Sequence, residues 1–115
     1  MDLQQALQAL LKFRSEREWS CFHTPKNLSV SISIESAELL EHFQWKSDQE
    51  IKDYLEGEGF KEVRDELADV ASYLLFLCHD LGIDLNTAVL DKLQKNCEKY
   101  PVEKSKGRHN KYTEL

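Results

Sequence analysis

Four acidic residues, in two pairs, are the groups in this chain whose type and spacing point most directly to chemistry. Glu35 and Glu38 are three residues apart, and so are Glu66 and Asp69. On a helix, residues three apart share a face with side chains roughly 5–6 Å from one another, so each pair is a like-charge repulsion unless something relieves it. If the two helices pack antiparallel, four carboxylates converge, and four clustered oxygen groups do not all stay ionised without a cation. Mg²⁺ is a hard cation that suits such ligands, with Mn²⁺ able to substitute. Glu41, one turn beyond Glu38, is a further outer ligand or proton acceptor. Apolar residues follow both pairs, Leu39 and Leu40 after the first and Val70 and Ala71 after the second, unlike a purely solvated acidic face. Other metal chemistries lack their ligands. No Glu-x-x-His pair stands on these helices, and the chain has no C-x-x-C, H-E-x-x-H, GxxxxGK[ST] or GxGxxG pattern. Neither a serine nor a cysteine nucleophile has a readable signature.

Aromatic residues give the second signal. Trp19, Phe22, His23, Trp45 and Tyr73 fall near predicted element ends or beside the acidic pairs. Tyr73, four residues after Asp69, shares its helix face. Aromatic faces beside a metal suit stacking of a nucleobase.

Few breakers interrupt the elements that must position these groups: 4 Gly and 2 Pro in 115 residues. Asp2 is placed to cap a helix running from Leu3 to about Trp19, and Cys21 to Pro25 reads as a connection because Pro25 disfavours helix at Thr24. Leu28, Val30, Ile32 and Ile34 alternate with serines, a strand period. Leu28, Ile32, Glu35, Leu39 and Phe43 also keep helical spacing, and the segment reads as one helix from about Asn27 to Gln44. Ser47 with Glu50 forms a capping-box pattern that opens a short helix ending at Gly57. A long helix from Phe60 to Leu81 is closed by Gly82, and a last helix from Asp84 to about Lys99 stops at Tyr100-Pro101. From Val70 to Cys78 the long helix is apolar nearly all round, so it must be buried on several sides, more than a four-helix monomer of this length can supply. Oligomerisation is expected. Residues 1–100 read as a helical domain, and 101–115 as its basic C-terminal tail without periodicity.

The net charge of −6 argues against a nucleic-acid polymer as partner. The charge is uneven, however. Lys92 to Leu115 carries seven basic residues against Glu98, Glu103 and Glu114. An acidic body with a basic end can hold a metal and a polyanion together. No run of 18 apolar residues provides a membrane span, and Met1 to Gln5 lacks the basic start of a signal peptide. Three cysteines, Cys21, Cys78 and Cys97, read as reduced thiols without a catalytic part. A cytoplasmic location is expected.

Taken together, these residues resemble the MazG-like, all-α nucleoside triphosphate pyrophosphohydrolases. Glu35-x-x-Glu38, 27 intervening residues and Glu66-x-x-Asp69 are similar to that family's ExxE…ExxD signature. Trp19 to Leu28 resembles the W-x-x-F-H-x-P-x-N-L segment of its dCTP pyrophosphatase branch. Glu35 to Trp45 resembles E-x-x-E-L-x-E-x-F-Q-W, and Lys111-Tyr112-Thr113 a closing K-Y-T. The resemblance implies an all-α bundle of four to five helices, assembled as a tetramer (a dimer of dimers). It also implies Mg²⁺-dependent hydrolysis of the α–β phosphoanhydride of a nucleoside triphosphate, in particular dCTP or a related dNTP. Glu35, Glu38, Glu66 and Asp69 would then be metal ligands, with Glu38 or Glu41 accepting the proton of the attacking water. Trp19, Trp45 and Tyr73 would frame the base with His23 nearby, and Lys92 and Asn96 would reach the phosphates. The chain departs from the family at Ser36-Ala37, where E-x-G-E is common, and at Leu10, where some relatives carry a histidine that contacts the base. Both departures bear on base preference.

Overall fold

The computed structural model describes residues 3–115. The helix cap expected at Asp2 lies outside them. Among the described residues the regular structure is helical throughout, with no strand, and the chain divides into two compact units, Met1–Gly82 and Ile83–Leu115.

The first unit holds α1 (Leu3–Glu16), a 3₁₀ turn (Ser20–Phe22), α2 (Pro25–Glu41), α3 (Asp48–Glu56) and α4 (Gly59–Asp80). α1 ends earlier than its apolar spacing suggests. Glu18 takes a left-handed φ of 55°, and the amides of Glu18 and Trp19 bond back to the carbonyls of Ser15 and Arg14, which closes the helix before Trp19. Thr24 is extended and its side chain accepts from the Asn27 amide, while Pro25 fills the first helical position, where its missing N–H costs nothing. The alternating serine segment is therefore helical from Pro25 onward, two residues before the expected start. Ser29 is accommodated by donating its hydroxyl to the Pro25 carbonyl at 2.7 Å. At the other end α2 stops at Glu41 rather than Gln44. His42, Phe43 and Gln44 form a turn on the Leu39 and Leu40 carbonyls, and Trp45 follows with φ 69°, an outlier for a bulky residue.

α3 opens on the expected capping box. The Ser47 hydroxyl accepts from the Glu50 amide at 3.2 Å, and the Glu50 carboxylate accepts from the Ser47 amide at 3.1 Å. α4 begins at Gly59, one residue before the expected start, and Leu81 closes it with Gly82 in the left-handed region at φ 68°.

α4 is the centre of this unit, with α1, α2 and α3 all packing on it and α2 the most extensively. α2 and α4 run antiparallel. His42 at the end of α2 meets Glu62 and Glu66 early in α4, and His23 just before α2 meets Tyr73 and Phe76 late in α4. Leu28, Val63, Leu75, Phe76 and Cys78 are buried, and so is Arg14, whose guanidinium makes two 2.8 Å bonds to Asp80 and lies over the Phe76 ring. One chain does not cover its own apolar surface. Val30, Ile34 and Leu40 on α2 and Phe60, Leu67 and Leu74 on α4 stay exposed. An open apolar groove of about 480 Å³ is lined by Leu55, Phe60, Val63, Arg64 and Leu67. No single helix among the described residues is long and apolar enough to cross a membrane.

The second unit holds α5 (Leu85–Lys99), a short α6 (Val102–Ser105) and a 3₁₀ turn (Tyr112–Glu114). Asp84 precedes α5, its carboxylate accepting from the Thr87 hydroxyl at 2.7 Å. The last fifteen residues carry more structure than their lack of periodicity suggests. Tyr112 packs edge-on against Tyr100 at 6.0 Å, and the Lys99 ammonium sits 4.8 Å from the Tyr112 ring centre. This interaction needs two aromatic residues twelve apart, a spacing that belongs to neither helical nor strand periodicity.

Candidate functional site

Antiparallel packing of α2 on α4 brings carboxylates from both helices together. Oxygens of Glu35, Glu38 and Glu66 lie within 4.8 Å of one another. Glu35 Oε2 and Glu66 Oε1 are buried with no hydrogen-bond partner. Such atoms are costly to leave unmet, so the pair is suited to a positively charged group. The Glu35 carboxyl is pushed up to about 8, first because a proton on it is shared with Glu66, then by burial and by the negative charges of Glu38 and Asp69. Glu66 moves the other way, held ionised chiefly by Glu35 and further by Glu38 and His42. A hard divalent cation of the Mg²⁺ or Mn²⁺ type fits this donor set, which is all oxygen, acidic and partly withdrawn from water. Asp69 stands one turn further along α4, outside that group of three, though its charge reaches Glu35. Glu41 is exposed and also outside it.

Next to these carboxylates stands a group that the sequence reading did not single out. His42 Nδ1 is 2.7 Å from the Tyr54 hydroxyl, which also lies 3.0 Å from Glu62 Oε2. His42 Nε2 is 3.7 Å from Glu66 Oε2. The signal was present in the spacing. Glu35, Glu38 and His42 stand at positions i, i+3 and i+7, and Glu62, Glu66 and Asp69 at i, i+4 and i+7, so each set shares one helix face. Tyr54, on α3, has no such signal.

Three of the four aromatic residues assigned to base binding are linked through His23. Its ring centre is 6.4 Å from Trp19, 6.4 Å from Tyr73 and 5.1 Å from Phe76, and Phe13 extends the cluster to Trp19 at 5.6 Å. Burial lowers the His23 pKa, as does the nearby Arg14 charge, with Asp80 opposing; its Nδ1 is buried without a partner. Trp45 is not part of this cluster. It is 91% exposed and joins no ring contact among the described residues. Lys92 and Asn96 lie one turn apart on α5 in the second unit, with Lys92 exposed and Asn96 half-buried.

Comparison with known proteins identifies the family. The MazG-like family model matches residues 30–115. dCTP pyrophosphatase 1 of Rattus norvegicus is 40% identical over 105 residues, which is 90% of this chain and 62% of that protein. The Homo sapiens protein of the same name is 39% identical over 107 residues, with the same shares covered. The chain thus spans about three-fifths of the length of these curated relatives. Among solved structures, a pyrophosphatase from Archaeoglobus fulgidus DSM 4304 superposes with a TM-score of 0.81 at 51% identity, covering 86% of this chain and 92% of that one. On the match of sequence and fold, this chain belongs to the MazG-like family.

Proposed function

We propose that the protein is a Mg²⁺-dependent nucleoside triphosphate pyrophosphohydrolase. It cleaves the α–β phosphoanhydride of dCTP or a related deoxynucleotide to the monophosphate and pyrophosphate, clearing surplus or non-canonical nucleotides in the cytoplasm. The observation that carries this reading is the Glu35–Glu38–Glu66 group, with two buried oxygens unpartnered at the contact of α2 and α4. The names of the relatives, dCTP pyrophosphatase 1 and a pyrophosphatase, support the substrate class.

In this reading Glu35, Glu38, Glu66 and Asp69 hold the cation, Mn²⁺ being an alternative to Mg²⁺. The cation supplies charge neutralisation for phosphate oxygens and a more acidic water. Glu38 or Glu41 takes the proton of the attacking water; Glu41, exposed and outside the group of three, keeps its carboxylate free of that cluster. Trp19, His23 and Tyr73 receive the base, with the unpartnered His23 Nδ1 available to a polar edge, and Trp45 adds an exposed aromatic face. Lys92 and Asn96 keep the phosphate contacts that the family resemblance implies. The apolar surface left open on α2 and α4 suits burial between copies in a tetramer.

A substrate panel tests this. Each dNTP and NTP is offered with Mg²⁺, with Mn²⁺ and with EDTA, to the wild type and to Glu66→Gln. The reading expects turnover only with metal, kcat/KM highest for dCTP or a close relative, and a loss of at least about a hundredfold in Glu66→Gln. Turnover that survives EDTA or Glu66→Gln would contradict it. Equal rates on all bases, or preference for dUTP, would keep the reaction and overturn the dCTP preference.

A further inference from the structure

Three groups outside the carboxylate cluster converge on His42: Tyr54, Glu62 and Lys46. The imidazole, with 17% of its side chain exposed, stacks on Tyr54 at 6.0 Å and 28°, and its Nδ1 is tied to the Tyr54 hydroxyl. Tyr54 is fixed in turn. The Lys46 ammonium lies 4.5 Å from its ring centre while donating to the His42 carbonyl at 2.6 Å, and Glu62 Oε2 stands 3.0 Å from its hydroxyl. The edge of the Tyr54 ring packs so closely on Gly59 that a Cβ there would collide with Cγ, Cδ2 and Cε2. A glycine at the first position of α4 is therefore a space requirement of this tyrosine rather than a backbone one.

The ring so held presents Nε2 to one oxygen of Glu66. Oε2 lies 3.7 Å from Nε2, while Oε1 is buried and unpartnered. At 3.7 Å the two atoms face one another without a formed hydrogen bond. With the Tyr54 hydroxyl donating its single proton to Nδ1, the nearer of its two acceptors at 2.7 Å, the neutral ring carries its own proton on Nε2, facing Glu66. An N–H aimed at one oxygen restricts rotation of the carboxylate and leaves the other oxygen for a cation. That is the arrangement by which outer groups orient metal ligands.

We propose that His42, braced by Tyr54, is a positioning residue that holds the Glu66 carboxylate in the orientation a divalent cation requires. This rests on the reading of the carboxylate cluster as a metal centre. His42 stands outside the group of three carboxylates. It acts through Glu66, so its first effect is on metal affinity.

The test measures Mn²⁺ binding to the full chain directly, by the electron paramagnetic resonance signal of the free ion, with circular dichroism of each variant as the folding control. His42→Leu keeps comparable bulk and removes the N–H; its Mn²⁺ dissociation constant is expected to rise about tenfold or more. His42→Gln restores a donor toward Glu66 and is expected to stay within about threefold of wild type. Tyr54→Phe keeps the ring against Gly59 and removes only the brace, and is expected to fall between them. A folded His42→Leu that binds Mn²⁺ like the wild type overturns the proposal. So does a wild-type affinity in Tyr54→Phe, which decides the matter if His42→Leu does not fold. A His42→Gln as weak as His42→Leu also overturns it, because donor chemistry would then be irrelevant. A wild type that binds no Mn²⁺ removes the metal centre and this proposal with it, a result distinct from the first three, in which wild-type binding is intact.

Discussion

The Arg14–Asp80 pair offers a prediction whose size follows from the structure. Arg14 on α1 is 7% exposed, and both terminal nitrogens bond the Asp80 carboxylate near the end of α4 at 2.8 Å. Asp80→Asn leaves the guanidinium buried with at most one of these acceptors. Breaking a fully buried pair costs about 3–5 kcal/mol; the Asp80 side chain is 25% exposed, so water recovers part of that and about 2–3 kcal/mol is expected. With an unfolding entropy of about 0.24 kcal/mol/K for 115 residues, the melting temperature falls by about 10 °C. Thermal melts at pH 7 followed by circular dichroism measure it. The loss also depends on pH. Arg14 holds the Asp80 carboxyl below its ordinary value, against the opposing effect of burial, with His79 and His23 adding to Arg14. A depressed folded value stabilises fully above about pH 4, the unfolded carboxylate value, and the gain is lost as pH falls through the lowered one. The gap between wild type and Asp80→Asn should therefore be constant from pH 7 to about 5 and shrink below about 4. Removing both charges, as Arg14→Met with Asp80→Leu, should cost less than Asp80→Asn alone. A loss under about 0.5 kcal/mol, a gap that widens in acid, or a double variant as unstable as the sum of the singles would refute the reasoning.

Other perturbations have equally definite outcomes. Gly59→Ala places a methyl into the Tyr54 ring and should cost about 1–3 kcal/mol in chemical denaturation, although alanine is the better helix former; a stabilised variant would contradict the packing. Ser47→Ala removes one half of the capping box and should cost about 0.5–2 kcal/mol by the same assay. Leu67→Glu puts a charge on the exposed apolar face of α4, and light scattering after size exclusion should show a smaller assembly than wild type. An unchanged mass would remove that face from the interface.

Much of this was legible in the sequence because it depends on local spacing. The capping box, the Gly82 stop and the two acidic pairs each need only a few consecutive residues to be recognised, and the structure brings Glu35, Glu38 and Glu66 together at the contact of α2 and α4. The serine alternation of 28–34 carried a strand period and a helical one at once. Thr24, Pro25 and the absence of any break before Glu35 decide for helix. What the sequence concealed depends on distant contact. Tyr54 has no partner within its own helix that marks it; its part is defined by His42, Glu62 and Gly59. Arg14 reads as an ordinary surface cation until Asp80, 66 residues later, is placed against it. Trp45 enters the base-binding set through the family resemblance, and the turn that ends α2 at Glu41 leaves it almost wholly exposed, which its spacing alone does not show.

The most direct measurement of the central claim is the identity of the products. The protein is incubated with dCTP and Mg²⁺ and the mixture followed by ³¹P nuclear magnetic resonance. The account predicts dCMP and pyrophosphate appearing in equal amounts, with no orthophosphate, and no reaction after EDTA. Diphosphate with orthophosphate would show that a different bond is cut, and an unchanged triphosphate spectrum for dCTP and every other nucleotide would contradict the account outright.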